Sequence, residues 1–470
     1  MSFHLSGRKV LVLGLGDTGL SMTRWLARQG AVVSVADTRK APPGVAALSQ
    51  ELPDVRVHTG APGGYAREDF AGIDLVAISP GVDPRVGELA AALKRGVPAA
   101  GDVELFARAL QGWANVQRAP QVLAITGSNG KSTVTAMCGA MCEAAGRNTV
   151  VAGNIGLPVL DVLTQIDDAV RAMPDTFVLE LSSFQLETIT SLKPAAAAML
   201  NLSEDHLDRY DSYADYGKAK ARIFDGGGVQ VLNRDDEHSL AMRRAGQALT
   251  TFGLSAPLSD DEWGLTYRTS DHASLSLAHG ARTLLRVDEL PLAGLHNAAN
   301  ALAAGALCDA AGVPADAIAR ALRGFKGLPH RVEKINEIKK IEFFDDSKGT
   351  NVGATVAALA GMQQPVVLIA GGDGKGQDFS PLSAVVKRAR AVVLIGRDAG
   401  LIERAIASTG VTLLRAGDMS DAVDVAFRVA QAGDAVLLSP ACASYDMFRS
   451  YVHRAEVFVD AVAQLKRREG

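Results

Sequence analysis

The sequence predicts an α/β protein of three domains, and three observations carry that prediction. Short β-branched and leucine-rich runs alternate with alanine-rich helical stretches along all 470 residues, the pattern of parallel sheets covered by helices. Many apolar runs end in glycine, and the 47 glycines exceed the ordinary share of about 7%, which points to tight strand-to-helix turns. The length is more than one hydrophobic core serves.

The first domain is expected over residues 1–110, with a Rossmann-like alternation of "KVLVLGLG" (9–16), "AVVSVAD" (31–37) and "LVAISPG" (75–81). "GLGDTG" (Gly14, Gly16, Gly19) follows a strand, opens a helix and precedes Asp37 at the next strand end. That is the dinucleotide fingerprint, in which glycines admit phosphate to a helix N-terminus and the acid takes a ribose hydroxyl. The same geometry accepts any nucleotide diphosphate, so the motif marks a diphosphate site without fixing the ligand, and Arg39 offers an anion partner. The segment 111–120, "QGWANVQRAP", breaks the rhythm and reads as a linker.

The central domain is expected over 121–325. It opens with "QVLAITG" (121–127) and continues "SNGKSTVT", a P-loop whose glycines stand too close together. Only Ser128 and Asn129 separate Gly127 from Gly130, with Lys131, Ser132 and Thr133 following. Lys131 and the amides of Gly130 to Ser132 suit the β- and γ-phosphates of ATP, and a hydroxyl of Ser132 or Thr133 suits Mg²⁺. Such a loop needs an acidic metal partner at a neighbouring strand end, and "TFVLELSS" (176–183) places Glu180 just beyond its strand. "NLSEDHLDRY" (201–210) adds Asp205 and His206, a histidine equally read as structural or as a ligand. Lys220, in "YADYGKAKARIF", reads either as a solvated surface lysine or as a functional one with a depressed pKa or a chemical modification. Between Leu254 and Leu290 the pattern turns polar and alternating, which predicts a small antiparallel sheet beside the parallel one.

"FKGLPHR" (325–331) marks a second linker, and a Rossmann-like third domain is expected over 326–470, from "PVVLIAGG", "AVVLIGRD" and "AVLLSPA". The net charge of −4 gives no sign of a nucleic-acid partner. No apolar run reaches membrane-spanning length, the N-terminus carries no cleavable leader, and the four cysteines form no C-x-x-C pair. These point to a cytoplasmic protein without membrane insertion, and Cys138 and Cys142 to a packed helix face.

Taken together, "TGSNGKST", "LELSSFQLE", "NLSEDHLDRY", "HNAANALAA", "LPHRVE" and "DDSKGTN" resemble the Mur ligases, ATP-dependent amide-forming enzymes of peptidoglycan synthesis. "GLGDTG", "SPGV", "GNIGLP", "GGDGKG" and "SPACASYDMF" are similar to the branch of that family adding D-glutamate to UDP-N-acetylmuramoyl-L-alanine. The resemblance implies phosphorylation of the acceptor carboxylate by ATP and attack on the acyl phosphate by the amine, in a monomer. It implies two Mg²⁺ sites built from Ser132, Thr133, Glu180, His206 and a carbamylated Lys220, with Asn154 meeting substrate or metal. Asn297 and Asn300 would lie near adenine and phosphates, Arg331 and Asp346 at phosphates and ribose, and Lys348 at the reacting centre. Thr350, Lys375, Ser444, Tyr451 and the amide of Tyr445 would take D-glutamate, and Asp17, Thr18, Asp37, Thr38, Arg39, Ser79 and Gly81 the UDP.

The chain departs from that pattern in places. Asp17 stands where the family often has an apolar residue, Tyr445 and Tyr451 where Leu and Phe are usual, and 111–120 and 167–175 read as surface insertions. Three other readings remain open to the motifs: a nicotinamide oxidoreductase, a P-loop ATPase switch, and another amide ligase of the same architecture.

Overall fold

The computed structural model describes residues 4–60, 64–114, 119–206, 208–268, 271–292 and 294–469. The N-terminal sheet has five parallel strands, in the order Arg56–Thr59, Val32–Asp37, Lys9–Leu13, Leu75–Ile78, Ala99–Ala100. The chain winds outward from Lys9–Leu13 in one direction and then the other, so the strand order reverses there. A crevice opens at the carboxyl ends of the strands at such a point. It is bounded by Gly14, Asp37 and Ser79, each just past or at a strand end.

The central sheet has nine strands, running from Arg282–Arg286 at one edge to Thr149–Gly153 at the other, with Gln121–Thr126 between Ala196–Met199 and Thr176–Glu180. Strands from Glu262–Arg268 to Thr149–Gly153 pair in parallel. The expected antiparallel strands exist, but Glu262–Arg268, Asp271–His279 and Arg282–Arg286 extend this same sheet instead of forming a separate one. A backbone edge left open at Leu249–Phe252 would expose unpaired amides and carbonyls, and these strands cover it. Helices Lys131–Ala144 and Leu295–Ala310 pack on one face around Trp263, Leu302 and Leu307. All four cysteines are buried and free, with Cys138 and Cys142 on the core face.

The third sheet is ordered Glu333–Ile338, Ile341–Asp345, Ala435–Leu438, Val366–Gly371, Ala391–Ile395, Thr412–Arg415, parallel except for its first pair. Its inner strands are buried along their whole length, as strands covered on both faces must be. Helix Tyr451–Glu469 packs on it through Phe458, Val462 and Leu465. Among the described residues no helix is long and apolar enough to cross a membrane.

Helix Asp102–Ala114 runs four residues into the segment read as a linker from its composition. Its apolar face explains the extension, because Phe106 meets the edge of Phe177 at 4.9 Å and a single core runs from the N-terminal sheet into the central one. Glu104, buried, accepts backbone hydrogen bonds from Thr190 (2.7 Å) and Ser191 (2.9 Å). The insertion 167–175 lies on the surface as read, with Val170 exposed, and Asp168 pairs with Arg28.

Asp102 is buried at the same junction and accepts from the Gln185 amide at 3.1 Å. Burial pushes its pKa from 3.8 up to about 6. The folded state keeps this proton after the unfolded chain has lost it, so Asp102 makes stability fall as pH rises from about 4 to about 6 and adds no slope above. Asp102→Asn is expected to flatten that part of the profile, measured by urea unfolding at a series of pH values.

Candidate active site

The shortened P-loop works because its backbone is unusual. Gly127 (φ +153°) and Gly130 (φ +83°) occupy conformations that L side chains rarely adopt. A Cβ on Gly130 would lie 2.6 Å from Asn300 Oδ1, and one on Gly127 would lie 2.9 Å from Leu200 Cβ. The loop after strand Ala196–Met199 then fixes the turn. Asn201 Oδ1 accepts from the Asn129 amide (2.8 Å), its carbonyl accepts from the Ser128 amide (2.9 Å), and the Ser128 hydroxyl donates to the Ser203 carbonyl (3.0 Å). Helix Lys131–Ala144 starts directly behind, so its free N-terminal amides open onto the turn.

Four chemically active side chains meet at this loop. Lys131 Nζ is folded back on the carbonyls of Gly127 (2.9 Å) and Ser128 (3.0 Å). Burial lowers its pKa, opposed by Glu180. Glu180 is not beyond its strand but its last residue, because the strand lies between two partners and pairs through to Ile125 and Gly153. It is buried; one oxygen accepts from Asn154 Nδ2 at 2.9 Å and the other, Oε2, has no hydrogen-bond partner. Burial works against its charge, yet Lys131 and Asn154 hold its pKa below the ordinary carboxylate value.

Lys220 is buried, which removes the solvated-surface reading. Its Nζ donates to the Gly127 carbonyl at 2.8 Å and sits 4.7 Å from the Tyr216 ring centre. Burial, with Lys131 next in size, holds its pKa well below 10.5. His206 has φ +56° and stands edge-on to Phe184 at 4.8 Å, with Nε2 3.6 Å from Asp205 Oδ2. Burial pushes its pKa down to about 4, so the imidazole is neutral at pH 7 and free to act as a ligand.

Two cavities flank this centre. The larger, about 800 Å³, gathers the seven residues expected around the UDP, Asp17, Thr18, Asp37, Thr38, Arg39, Ser79 and Gly81, together with Asn154, expected at substrate or metal. Asp37 lines this cavity and is already engaged within the protein. Its carboxylate is taken up by the Leu15 amide (2.7 Å) and by Arg39 Nε (2.9 Å) and Nη2 (2.6 Å), so it shapes the glycine turn and aims the arginine. Asn154 joins this cavity to Glu180. The second cavity, about 180 Å³, is lined by Asn129, Gly130, Thr133, Asn297, Asn300, Arg331 and Asp346. Arg331 comes from the third domain and donates to Ser132 Oγ at 3.0 Å. Asp346 is buried beside it, its pKa pushed up to about 7 by burial, and accepts from Ser439 Oγ at 2.6 Å.

The third group of expected residues is less closely assembled. Lys348 Nζ lies 5.4 Å from the Tyr451 ring centre, and burial pushes its pKa down to about 8. Thr350, Lys375, Ser444, Tyr445 and Tyr451 line neither cavity. Tyr445 is 75% exposed, and Lys375 pairs with Asp205 of the central domain at 2.7 Å. Arg454, which sequence reasoning missed, is fully buried and donates to the Ser347 carbonyl (2.8 Å) and the Cys442 carbonyl (3.0 Å), tying together the two loops that carry Lys348 and Ser444. Its signal was available: Arg454 precedes Phe458 by one turn on the apolar stripe of its helix.

The donor set fits a phosphate chain with a divalent cation. Glu180 Oε2 is an unpartnered buried carboxylate oxygen, the hydroxyls of Ser132 and Thr133 stand at the start of the helix behind the glycine turn, and a neutral imidazole stands on the neighbouring loop.

Three family models match the chain. They are described as a MurD-like Mur ligase N-terminal domain (residues 8–101), a Mur ligase middle domain (125–308) and a Mur ligase glutamate ligase domain (330–442). The UDP-N-acetylmuramoylalanine–D-glutamate ligase of Thiobacillus denitrificans is 57% identical over 474 residues, covering 99% of this chain and 98% of that one. Its counterpart from Methylobacillus flagellatus is 56% identical, with 99% of each chain covered. Among solved structures, the UDP-N-acetylmuramate–alanine ligase of Thermotoga maritima has the same fold, with a TM-score of 0.59 at 19% identity over 97% of this chain and 100% of that one. So has a pseudomurein peptide ligase from Methanothermus fervidus, at 0.58 and 18% over 98% and 100%.

Gly130→Ala is expected to weaken ATP-analogue binding by about tenfold or more, because the φ strain and the Asn300 contact fall on the cradle itself. Calorimetric titration checks this; binding within about twofold of wild type contradicts the cradle.

Proposed function

The chain belongs to the Mur ligase family, and we propose that it uses ATP to join D-glutamate to UDP-N-acetylmuramoyl-L-alanine in cytoplasmic peptidoglycan precursor synthesis. Full-length relatives at 50–57% identity bear that name, which supports the D-glutamate-adding reaction over the alanine- or diaminopimelate-adding ones. One observation carries the site reading: Glu180, with a free buried oxygen, stands where Asn154 of the large cavity meets Lys131 of the phosphate loop.

A carboxylate is a poor electrophile, and phosphorylation turns its oxygen into a good leaving group. The acceptor carboxylate, held by the large cavity, attacks the γ-phosphorus of ATP, and ADP departs. The D-glutamate amine then attacks the acyl phosphate, loses a proton, and inorganic phosphate leaves from the tetrahedral adduct. Catalysis of this kind rests on alignment and on cancelling charge around the phosphoryl oxygens.

The residues divide that work. Lys131 exchanges its two carbonyl hydrogen bonds for charge-assisted ones to the β- and γ-phosphates, beside the amides of Gly130 to Ser132. Arg331 adds a guanidinium to the same phosphates from the third domain, and Asn297, Asn300 and Asp346 hold the adenosine end. Ser132, Thr133, Glu180 and His206 would hold magnesium, which neutralises the phosphate oxygens when bound. Lys348, charged for the most part at pH 7, faces the developing negative charge. Thr350, Lys375, Ser444, Tyr445 and Tyr451 take the amino acid once the third domain closes on the central one.

Lys220 serves as a carbamate in this reading. Its depressed pKa populates the neutral amine, whose lone pair attacks the carbon of CO₂; an N–C bond forms, a C=O pair moves to oxygen, and the nitrogen loses a proton. The product is an anion beside Lys131, suited to a second magnesium ion.

Phosphate release is expected only when ATP, UDP-N-acetylmuramoyl-L-alanine and D-glutamate are all present. Release with ATP alone would support an ATPase switch instead, and release with other amino acids a different ligase. Lys220→Ala is expected to lose activity by about a hundredfold or more, a fall typical of a lost charge-stabilising group. Short-chain carboxylic acids should restore part of it, and an assay series in acetate and propionate without recovery would remove the carbamate.

A further inference from the structure

His206 belongs to a loop of the central domain, whereas the large cavity is walled mainly by the first domain, through Ser79, Pro80, Gly81 and Val82. Something must hold these two loops in register if a substrate seated in one is to meet groups placed by the other. Arg209 is the side chain that spans them. It is nearly buried, with 9% of the side chain exposed. Its Nη2 donates both to the Val82 carbonyl at 3.2 Å and to Glu187 Oε2 at 2.8 Å, and its Nε lies 3.5 Å from Asp83 Oδ2. The guanidinium also lies 4.7 Å from the centre of the Phe184 ring, the same ring that His206 meets edge-on.

The backbone completes the link. The amides of Arg209 and Tyr210 both donate to the His206 carbonyl, at 2.9 and 3.1 Å, closing a tight turn that holds His206 in its left-handed conformation. From the other side Arg85 grips Asp83 through two hydrogen bonds of 3.0 and 2.9 Å, donates to the Arg209 carbonyl, and lies 5.7 Å from the Tyr210 ring centre. Each domain thus sends one arginine to the backbone of the other. Arg209 alone joins a wall of the cavity, an acid and a ring of the central domain, and the turn of His206.

We propose that Arg209 is a positioning residue that sets the His206 loop in register with the UDP-substrate cavity of the first domain. It touches neither ring nitrogen of His206 and acts through Phe184 and the turn. Lysine cannot replace it, because an ammonium that reached Val82 and Glu187 as Nη2 does would still lack the second nitrogen that faces Asp83 and the flat face that lies on Phe184. Methionine keeps the stem and removes the charge.

The proposal rests on the function given above, so its test includes a reading independent of turnover. Mn²⁺ binding, followed by electron paramagnetic resonance, is titrated with and without UDP-N-acetylmuramoyl-L-alanine in wild type, R209K and R209M. Substrate is expected to tighten Mn²⁺ binding several-fold in wild type and to change it by less than about twofold in both variants. In turnover, kcat falls and KM for the UDP-substrate rises, while KM for ATP stays within about twofold of wild type. Melting temperature separates positioning from folding, and E187Q supplies a milder second variant if R209M is unstable. Full coupling in R209K and R209M overturns the proposal, as does a wild type without coupling, or a kcat loss that follows the melting temperature alone. A wild-type chain that shows coupling but releases no phosphate with both substrates contradicts the assigned reaction and leaves the register intact.

Discussion

Three lysines share the centre of the molecule with two buried carboxylates, Glu180 and Asp205, and the balance among them governs it. Lys131, Lys220 and Lys348 are all partly or wholly withdrawn from water, and each is depressed in pKa chiefly by burial. Glu180 and Asp205 oppose part of that charge, but Asp205 is paired with Lys375, and Arg331 adds another cation at Ser132. A folded chain tolerates such an excess only where an anion is to arrive, because unpaired buried charge is costly. The glycine turn, the helix N-terminus behind it and the two flanking cavities follow from the same need. They bring a polyanion to a place where basic groups outnumber the carboxylates beside them.

The parts of this arrangement that were legible in the sequence are those fixed over short spans. The P-loop was readable because Gly127, Gly130, Lys131 and Ser132 are neighbours on one turn, and the glycine fingerprint because Gly14, Gly16 and Gly19 are too. Parallel strands were readable as unbroken apolar runs ending in turns. The burial of Lys220 was not, since its own helix is nearly as polar as a surface helix; what hides it is the P-loop carbonyl of Gly127, 93 positions away. The engagement of Asp37 with Arg39 was adjacent in sequence yet unread, because the fingerprint spacing relates the acid to a ligand and says nothing of the residue two places on. The merging of the antiparallel strands into the central sheet depends on one short parallel pairing, Thr251 with Glu262 and Phe252 with Trp263, that leaves no periodic trace.

Domain boundaries show the same division. Composition marks 111–120 as a break, but the apolar face of helix Asp102–Ala114 carries the first domain into the core of the second through Phe106 and Phe177. The third domain is joined differently. Its contacts with the centre include Arg331 on Ser132, Lys375 on Asp205 and the packing of helix Val352–Gly361 beside helix Leu295–Ala310, and the connecting segment holds Gly327, His330 and Val332 at positive φ. Val332 is β-branched, so that backbone conformation is strained. The first two domains therefore share one core, and polar pairs hold the third against it at the phosphate loop.

The pairing of Lys375 with Asp205 has an exchange built into it. A single ammonium on the C-terminal domain cannot fully satisfy both an incoming amino-acid carboxylate and the aspartate it now holds. On the proposed assignment of Lys375, an arriving amino acid would release Asp205, which lies 3.6 Å from the imidazole of His206. The amino acid would thereby act on the electrostatics of that ring through the carboxylate it frees.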